Sequence, residues 1–87
     1  MTDTKGEPSS GHGPAGDLRQ RLTEAAGRGT PTERAIAGFI LANLAALPFE
    51  TAASLGRKIG VSEASVGRFC RTIGYRHLKD LKRDLQL

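Results

Sequence analysis

Residues 51–74 read TAASLGRKIGVSEASVGRFCRTIG, and this stretch decides the fold. Apolar residues at helical spacing flank the three residues Gly60-Val61-Ser62, which predicts two short helices joined by a sharp turn. Gly60 tolerates the positive φ that such a turn needs, and Gly56 provides a small side chain where the two helices would cross. The apolar residues placed to hold the crossing angle are Leu55, Ile59, Val61, Val66 and Phe69. Together these offsets predict a helix-turn-helix rather than a plain helical hairpin.

The sequence around this motif predicts three more helices. Asp17 is a candidate N-cap for a first helix from Leu18 to about Ala26, ended by the Gly-containing residues 27–29. Residues 30–33, TPTE, have the spacing of a capping box and open a second helix that runs to Leu44 and is bounded by Pro48. A fifth helix is predicted over residues 77–87, after the two helices of the motif, of which the second covers residues 63–73.

No segment alternates with period two, so we expect an all-α protein: a compact bundle of about five short helices without a substantial sheet. Its center should be a trihelical core like that of winged-helix and homeodomain proteins. The chain of 87 residues suffices for one small domain. Residues 1–16 are dominated by Gly, Pro, Ser and Thr and predict a disordered tail, which leaves residues 17–87 as the domain.

The first predicted helix has a thin apolar stripe formed by Leu18, Leu22, Ala25 and Ala26. Such a stripe has to pack against something to be stable. One interpretation is that it forms the surface at which two copies of the chain dimerise.

The net charge of +4 resides entirely in residues 31–87, which hold 9 basic and 5 acidic side chains. A basic half on a small domain suggests a polyanionic partner.

The sequence shows no nucleophile–base pair, no paired carboxylates and no phosphate-binding loop, so we do not expect an enzyme. One cysteine and two distant histidines make no metal cluster, and no cofactor is expected. The absence of a signal-peptide core and of a membrane-spanning apolar run predicts a cytoplasmic protein.

The second helix of the motif has two different faces. Val66, Phe69 and Cys70 should face the core, and the opposite face carries Ala64 and Arg68. In helix-turn-helix motifs the N-terminal part of this helix enters the major groove of DNA. Candidate base-reading residues are therefore Ala64 for a thymine methyl group, Ser65 for either type of base, and Arg68 for the O6 and N7 atoms of guanine. Glu63 either accepts from cytosine or, as we favor, only suits the positive end of the helix.

A second group of side chains is expected to hold DNA phosphates, through positive charge or through a position at a helix cap. These residues are Thr51, Arg57, Lys58, Ser62, Arg71, Thr72, Arg76, Lys79 and Lys82. For any single charged member, a solvated surface charge is an equal alternative. Cys70 is interpreted as a buried apolar residue rather than a redox sensor, and Tyr75 as a packed ring with its hydroxyl outward.

The string VSEASVGRFCRTIGY at residues 61–75, followed by HLKDLK at 77–82, resembles the N-terminal domain of RpiR-type transcription regulators. TERAIAGFILAN at 32–43 and TAASL at 51–55 are also similar to that domain, so the resemblance covers about residues 18–87. It implies a homodimer that binds an inverted-repeat operator in double-stranded DNA and regulates genes of carbohydrate metabolism. Relatives usually carry a C-terminal sugar-isomerase-like domain that binds a sugar-phosphate effector, and we expect that domain to be absent from this chain.

Gly67 departs from the family, which commonly has a β-branched residue at this position. The glycine either admits a close approach of the DNA backbone or alters the sequence preference. The alternative to DNA binding is a helix-turn-helix used for contact with another protein.

Overall fold

Five α-helices follow one another in the computed structural model, which describes residues 13–85, with side chains from residue 17 onward. They are α1 (Gly13–Arg28), α2 (Pro31–Ala42), α3 (Ala52–Ile59), α4 (Glu63–Thr72) and α5 (Leu78–Arg83), and one turn of 3-10 helix, Leu47–Phe49, precedes α3. The described residues contain no strand. The prediction of an all-α bundle is confirmed. No helix of this part of the chain is long and apolar enough to cross a membrane.

The helix starts follow the caps that the sequence contains. The Thr30 amide donates to Glu33 Oε1 at 2.9 Å, and the Glu33 amide donates back to Thr30 Oγ1 at 3.2 Å, which confirms the predicted capping box. A second capping box joins Thr51 and Ser54 at the start of α3. Ser62 caps α4 by accepting from the Ser65 amide at 3.0 Å. Each cap satisfies amides that have no partner within the helix.

The predicted bounds of α1, α2 and α5 are wrong, and α4 ends at Thr72 instead of residue 73. α1 begins at Gly13, so residues 13–16 of the predicted tail are helical, while residues 1–12 lie outside the described residues. Asp17 does not cap this helix, because it lies inside it and pairs with Arg21 one turn later at 3.0 Å. α2 ends at Ala42, where the Asn43 side-chain amide donates to the Phe39 carbonyl at 2.8 Å. α5 begins at Leu78, with His77 as its cap, and ends at Arg83.

The core contains side chains from all five helices. Its buried hydrophobic residues are Leu18, Leu22, Ile36, Ala37, Ile40, Leu47, Leu55, Val66, Phe69, Cys70, Tyr75, Leu78 and Leu81. The stripe of α1 packs on α2 and is anchored by Leu18 and Leu22, which are fully buried. The interpretation of this stripe as a dimer surface is therefore wrong, since the chain's own core covers it. Phe49 is the large hydrophobic side chain of the described part that remains exposed.

The turn between α3 and α4 has the predicted geometry. Gly60 adopts φ 91° and ψ 31°, a left-handed conformation that other residues rarely adopt. A Cβ atom on Gly56 would lie 2.7 Å from the Val61 carbonyl oxygen, closer than real contacts allow. The carbonyl oxygen of Gly56 accepts hydrogen bonds from the Gly60 and Val61 amides, at 2.8 and 2.9 Å. The two glycines thus let α3 and α4 approach each other and set the direction of α4.

Candidate nucleic-acid interface

α4 separates its side chains into a buried face and an exposed ridge. Val66, Phe69 and Cys70 are buried, and the ridge on the other side carries Ala64 and Arg68, followed by Arg71, all exposed. The predicted division of faces is confirmed. The ridge adjoins the turn that begins the helix.

Two grooves flank this ridge. The first groove, between the start of α2 and α4, is lined by Thr30, Thr32, Glu33, Ile36, Ser65, Arg68, Phe69 and Thr72. The second groove, between α4 and the starts of α3 and α5, is lined by Ala52, Glu63, Ala64, Gly67, Arg68, Arg71, His77 and Leu78. Ser65 and Thr72 therefore lie on one side of the ridge and Gly67 on the other, as the helical spacing predicts. Arg68 borders both grooves.

A short chain of hydrogen bonds connects the cap of α4 to the ridge. Ser62 Oγ and Ser65 Oγ are 2.9 Å apart, and Arg68 Nη2 donates to Ser65 Oγ at 3.2 Å. The Thr72 hydroxyl donates to the Arg68 carbonyl at 3.0 Å, within the helix. The structure thus brings the three predicted base-reading residues together on the first two turns of α4, and links two of them directly.

The predicted phosphate-binding residues differ in how they are held. Arg57, Arg71, Arg76 and Lys79 are exposed. Lys58 instead donates to the carboxylate of Glu50, a residue that the sequence analysis did not single out. The hydrogen bonds from Lys58 and then Ser54 lower the pKa of Glu50. Lys82 donates to the Pro48 carbonyl at 3.4 Å, so these two lysines are already engaged with the segment that precedes α3.

Tyr75 does not have the expected orientation. The side chain is buried, and its hydroxyl donates to Asp84 instead of pointing outward. Burial and the hydrogen bond with Asp84 raise the pKa of Tyr75 above its ordinary value. The residue therefore joins the segment after α4 to the end of α5 and is not available to a phosphate.

Arg21 is a structural residue that sequence reasoning missed. Its Nη1 donates to the Ile73 carbonyl oxygen at 2.9 Å, and its guanidinium lies over the Tyr75 ring, 5.2 Å from the centroid. The partners are 52 residues apart in sequence, so no local pattern indicates the contact. The contact couples α1 to the end of α4.

The cysteine of the motif is not exposed beside the ridge. Cys70 is buried, and burial raises the pKa of its thiol to about 11. Within the described residues, no group of three His, Cys, Asp or Glu side chains could hold a metal ion.

Comparison with known proteins agrees with the geometry. The family described as "Helix-turn-helix domain, rpiR family" matches residues 17–87. A search of curated proteins found no match. The matched range contains all of α2 to α5 and most of α1. The chain belongs to the rpiR family of DNA-binding helix-turn-helix domains.

Proposed function

We propose that this chain binds double-stranded DNA in a sequence-specific manner, with α4 as its recognition helix in the major groove. The observation that carries the proposal is the exposed ridge of α4, which places Ala64 and Arg68 beside the helix start that the turn presents outward. Helix-turn-helix domains read bases with this part of the second helix. An exposed arginine flanked by two grooves suits the recognition of a base edge between two DNA strands.

Arg68 is the main base-reading residue of this proposal. Its guanidinium has two donors for O6 and N7 of guanine, and one of them is already oriented by Ser65. The methyl group of Ala64 suits a thymine methyl, and the Ser65 hydroxyl suits either kind of base. Discrimination between bases thus depends chiefly on one side chain of α4.

Phosphate contacts supply affinity without sequence choice. The proposed set is Thr51, Arg57, Lys58, Ser62, Arg71, Thr72, Arg76, Lys79 and Lys82. Of these, Lys58 has to exchange Glu50 for a phosphate, whereas Lys79 is exposed and can bind directly. Lys79 is therefore the clearer residue for a test of phosphate binding.

Because one recognition helix reads only a few base pairs, a homodimer on an inverted repeat is part of the proposal. Membership of the rpiR family supports regulation of carbohydrate-metabolism genes. A selection of bound sites from random duplex DNA tests whether the chain binds an inverted repeat as a homodimer. Two half-sites of opposite orientation are expected, and a single unpaired site would contradict the dimer.

The role of each residue is tested with the selected site and a random duplex, between about 50 and 200 mM salt. Arg68→Ala should lower affinity for the selected site by about tenfold or more and affect the random duplex less. Lys79→Ala should weaken both and reduce the salt slope by about one. Arg19→Ala is the control, because Arg19 is an exposed residue of α1 that lines neither groove. Binding that does not weaken with salt would overturn DNA as the partner, in favor of a protein.

A further inference from the structure

The second groove contains a histidine, His77, that lies outside the proposed base-reading and phosphate-binding sets. His77 caps α5, because its Nδ1 accepts a hydrogen bond from the Asp80 amide at 3.1 Å. An imidazole nitrogen that accepts carries no proton, so the proton of the neutral ring is on Nε2. His77 is exposed, and this cap fixes both its tautomer and the orientation of its ring.

Basic side chains lie on two sides of His77, and the Asp80 carboxylate lies near it on its own helix. On one side it lines the second groove together with Gly67 and Arg71 of α4. On the other side it lines a neighboring cavity together with Lys79 and Lys82. Glu63 is the acidic residue among those lining the second groove. The histidine thus lies between cationic side chains of α4 and of α5, where an anionic strand would pass.

The wall of the groove opposite His77 lacks a side chain at Gly67. A Cβ atom there would meet only Arg71 Nη1, at 3.8 Å, an ordinary contact. The packing of the protein therefore does not require a glycine in the middle of α4, and such a glycine costs helix stability. A ligand backbone that approaches α4 closely would account for it.

The geometry points to a specific placement of DNA, one that rests on the proposed function. The sugar-phosphate backbone of one strand lies in the second groove, where the Nε2–H of His77 donates to a phosphate oxygen. Gly67 provides the space for that strand beside α4. His77 is thus a phosphate-binding residue that acts through a neutral donor, unlike the lysines and arginines around it.

The substitution His77→Asn tests this placement, since asparagine is a good N-cap but places no donor at the position of Nε2. We expect duplex binding by the full chain to weaken by about tenfold, the loss typical of a hydrogen bond to a charged group. The loss should be equal for a selected site and a random duplex. It should also be equal at each salt concentration, because a neutral donor releases no counterion.

A second variant guards against a change in folding. Gly67→Ala should raise the melting temperature and yet weaken duplex binding by about tenfold, opposite effects that misfolding does not produce. Gly38→Ala is the matched control. Gly38 also lies within a helix, and an added Cβ atom there would have nothing within 4 Å. This control should raise the melting temperature and leave binding unchanged.

The outcomes separate this placement from the proposed function. If the wild-type chain binds duplex DNA and His77→Asn or Gly67→Ala binds as tightly, the placement in the second groove is wrong and the proposed function stands. A salt slope that falls by about one in His77→Asn would show a cationic contact and would also overturn the neutral donor. If the wild-type chain binds no duplex, both proposals fail.

Discussion

Arg21 of α1 donates from Nη1 to the carbonyl oxygen of Ile73, 2.9 Å away at the end of α4. The same guanidinium pairs with Asp17 at 3.0 Å and lies over the ring of Tyr75. One side chain thus contacts α1, the end of α4 and the segment that follows α4, because the planar guanidinium can pair, donate a hydrogen bond and stack at the same time. The end of α4 is therefore held by a residue of α1 that is remote from the exposed ridge.

Arg21→Ala should lower the free energy of unfolding by about 1–3 kcal/mol, since the Ile73 carbonyl loses its donor and Tyr75 loses the stacked cation. Urea unfolding measures this change. DNA affinity should fall as well, although Arg21 is not on the ridge. Arg21→Lys keeps the charge but not the planar fork, so it should restore only part of the stability. An unchanged unfolding free energy in Arg21→Ala would contradict the role of this contact.

Gly56→Ala should destabilise the fold by about 1–3 kcal/mol, because the added methyl group would overlap the Val61 carbonyl and force α3 away from the turn. Gly38→Ala adds the same methyl group to α2 in open space and should stabilise by up to about 1 kcal/mol. Thermal unfolding of the pair separates helix propensity from the close crossing. Equal shifts in the two variants would show that the crossing does not need a glycine.

The ion pair between Glu50 and Lys58 makes stability depend on pH in the acid range. Lys58 and Ser54 lower the pKa of Glu50 below its ordinary value of 4.5. The contribution of Glu50 is therefore complete above the ordinary value and is lost as pH falls through the lowered pKa of the folded state. Glu50→Gln should reduce this acid loss, measured as the difference in urea midpoint between neutral and acid pH. Glu24→Gln is the control, because Glu24 is an exposed residue of α1. If Glu50→Gln loses as much stability in acid as the wild type does, the ion pair is not the cause of that loss.

Cys70 should not react with a thiol reagent in the folded protein near neutral pH. Burial raises its pKa to about 11, so the reactive thiolate is scarce and covered. Reaction with Ellman's reagent should become rapid only in denaturant. Rapid modification of the native chain, accompanied by loss of DNA binding, would instead favor a redox sensor.

The sequence predicts well those features that depend on neighboring residues. The capping box at Thr30, the cap at Ser62 and the positive φ of Gly60 follow from local chemistry, and the structure contains all three. The two faces of α4 follow from helical period alone. The assignment of Arg68 to bases and of Lys79 to phosphates remains a prediction, because both rest on how the motif meets DNA.

What the sequence did not predict depends on the partner that each side chain selects. Asp17 is a favored cap residue, yet an arginine one turn later keeps it within the helix. Tyr75 was expected to direct its hydroxyl outward, but Asp84 accepts from it across the end of α5. Lys58 has the spacing of a surface charge, and only the fold brings it to Glu50. Each of these residues has two acceptable states, and a contact with another side chain selects one of them.

The hydrogen bonds from Ser62 through Ser65 to Arg68 have a thermodynamic consequence for recognition. An unrestrained arginine loses rotamer freedom when it docks, at a cost on the order of 1 kcal/mol. Arg68 is already restricted by a serine that the helix cap holds in place. Part of that ordering entropy is therefore lost when the domain folds, and in the proposed binding mode the arginine approaches a base edge preorganised.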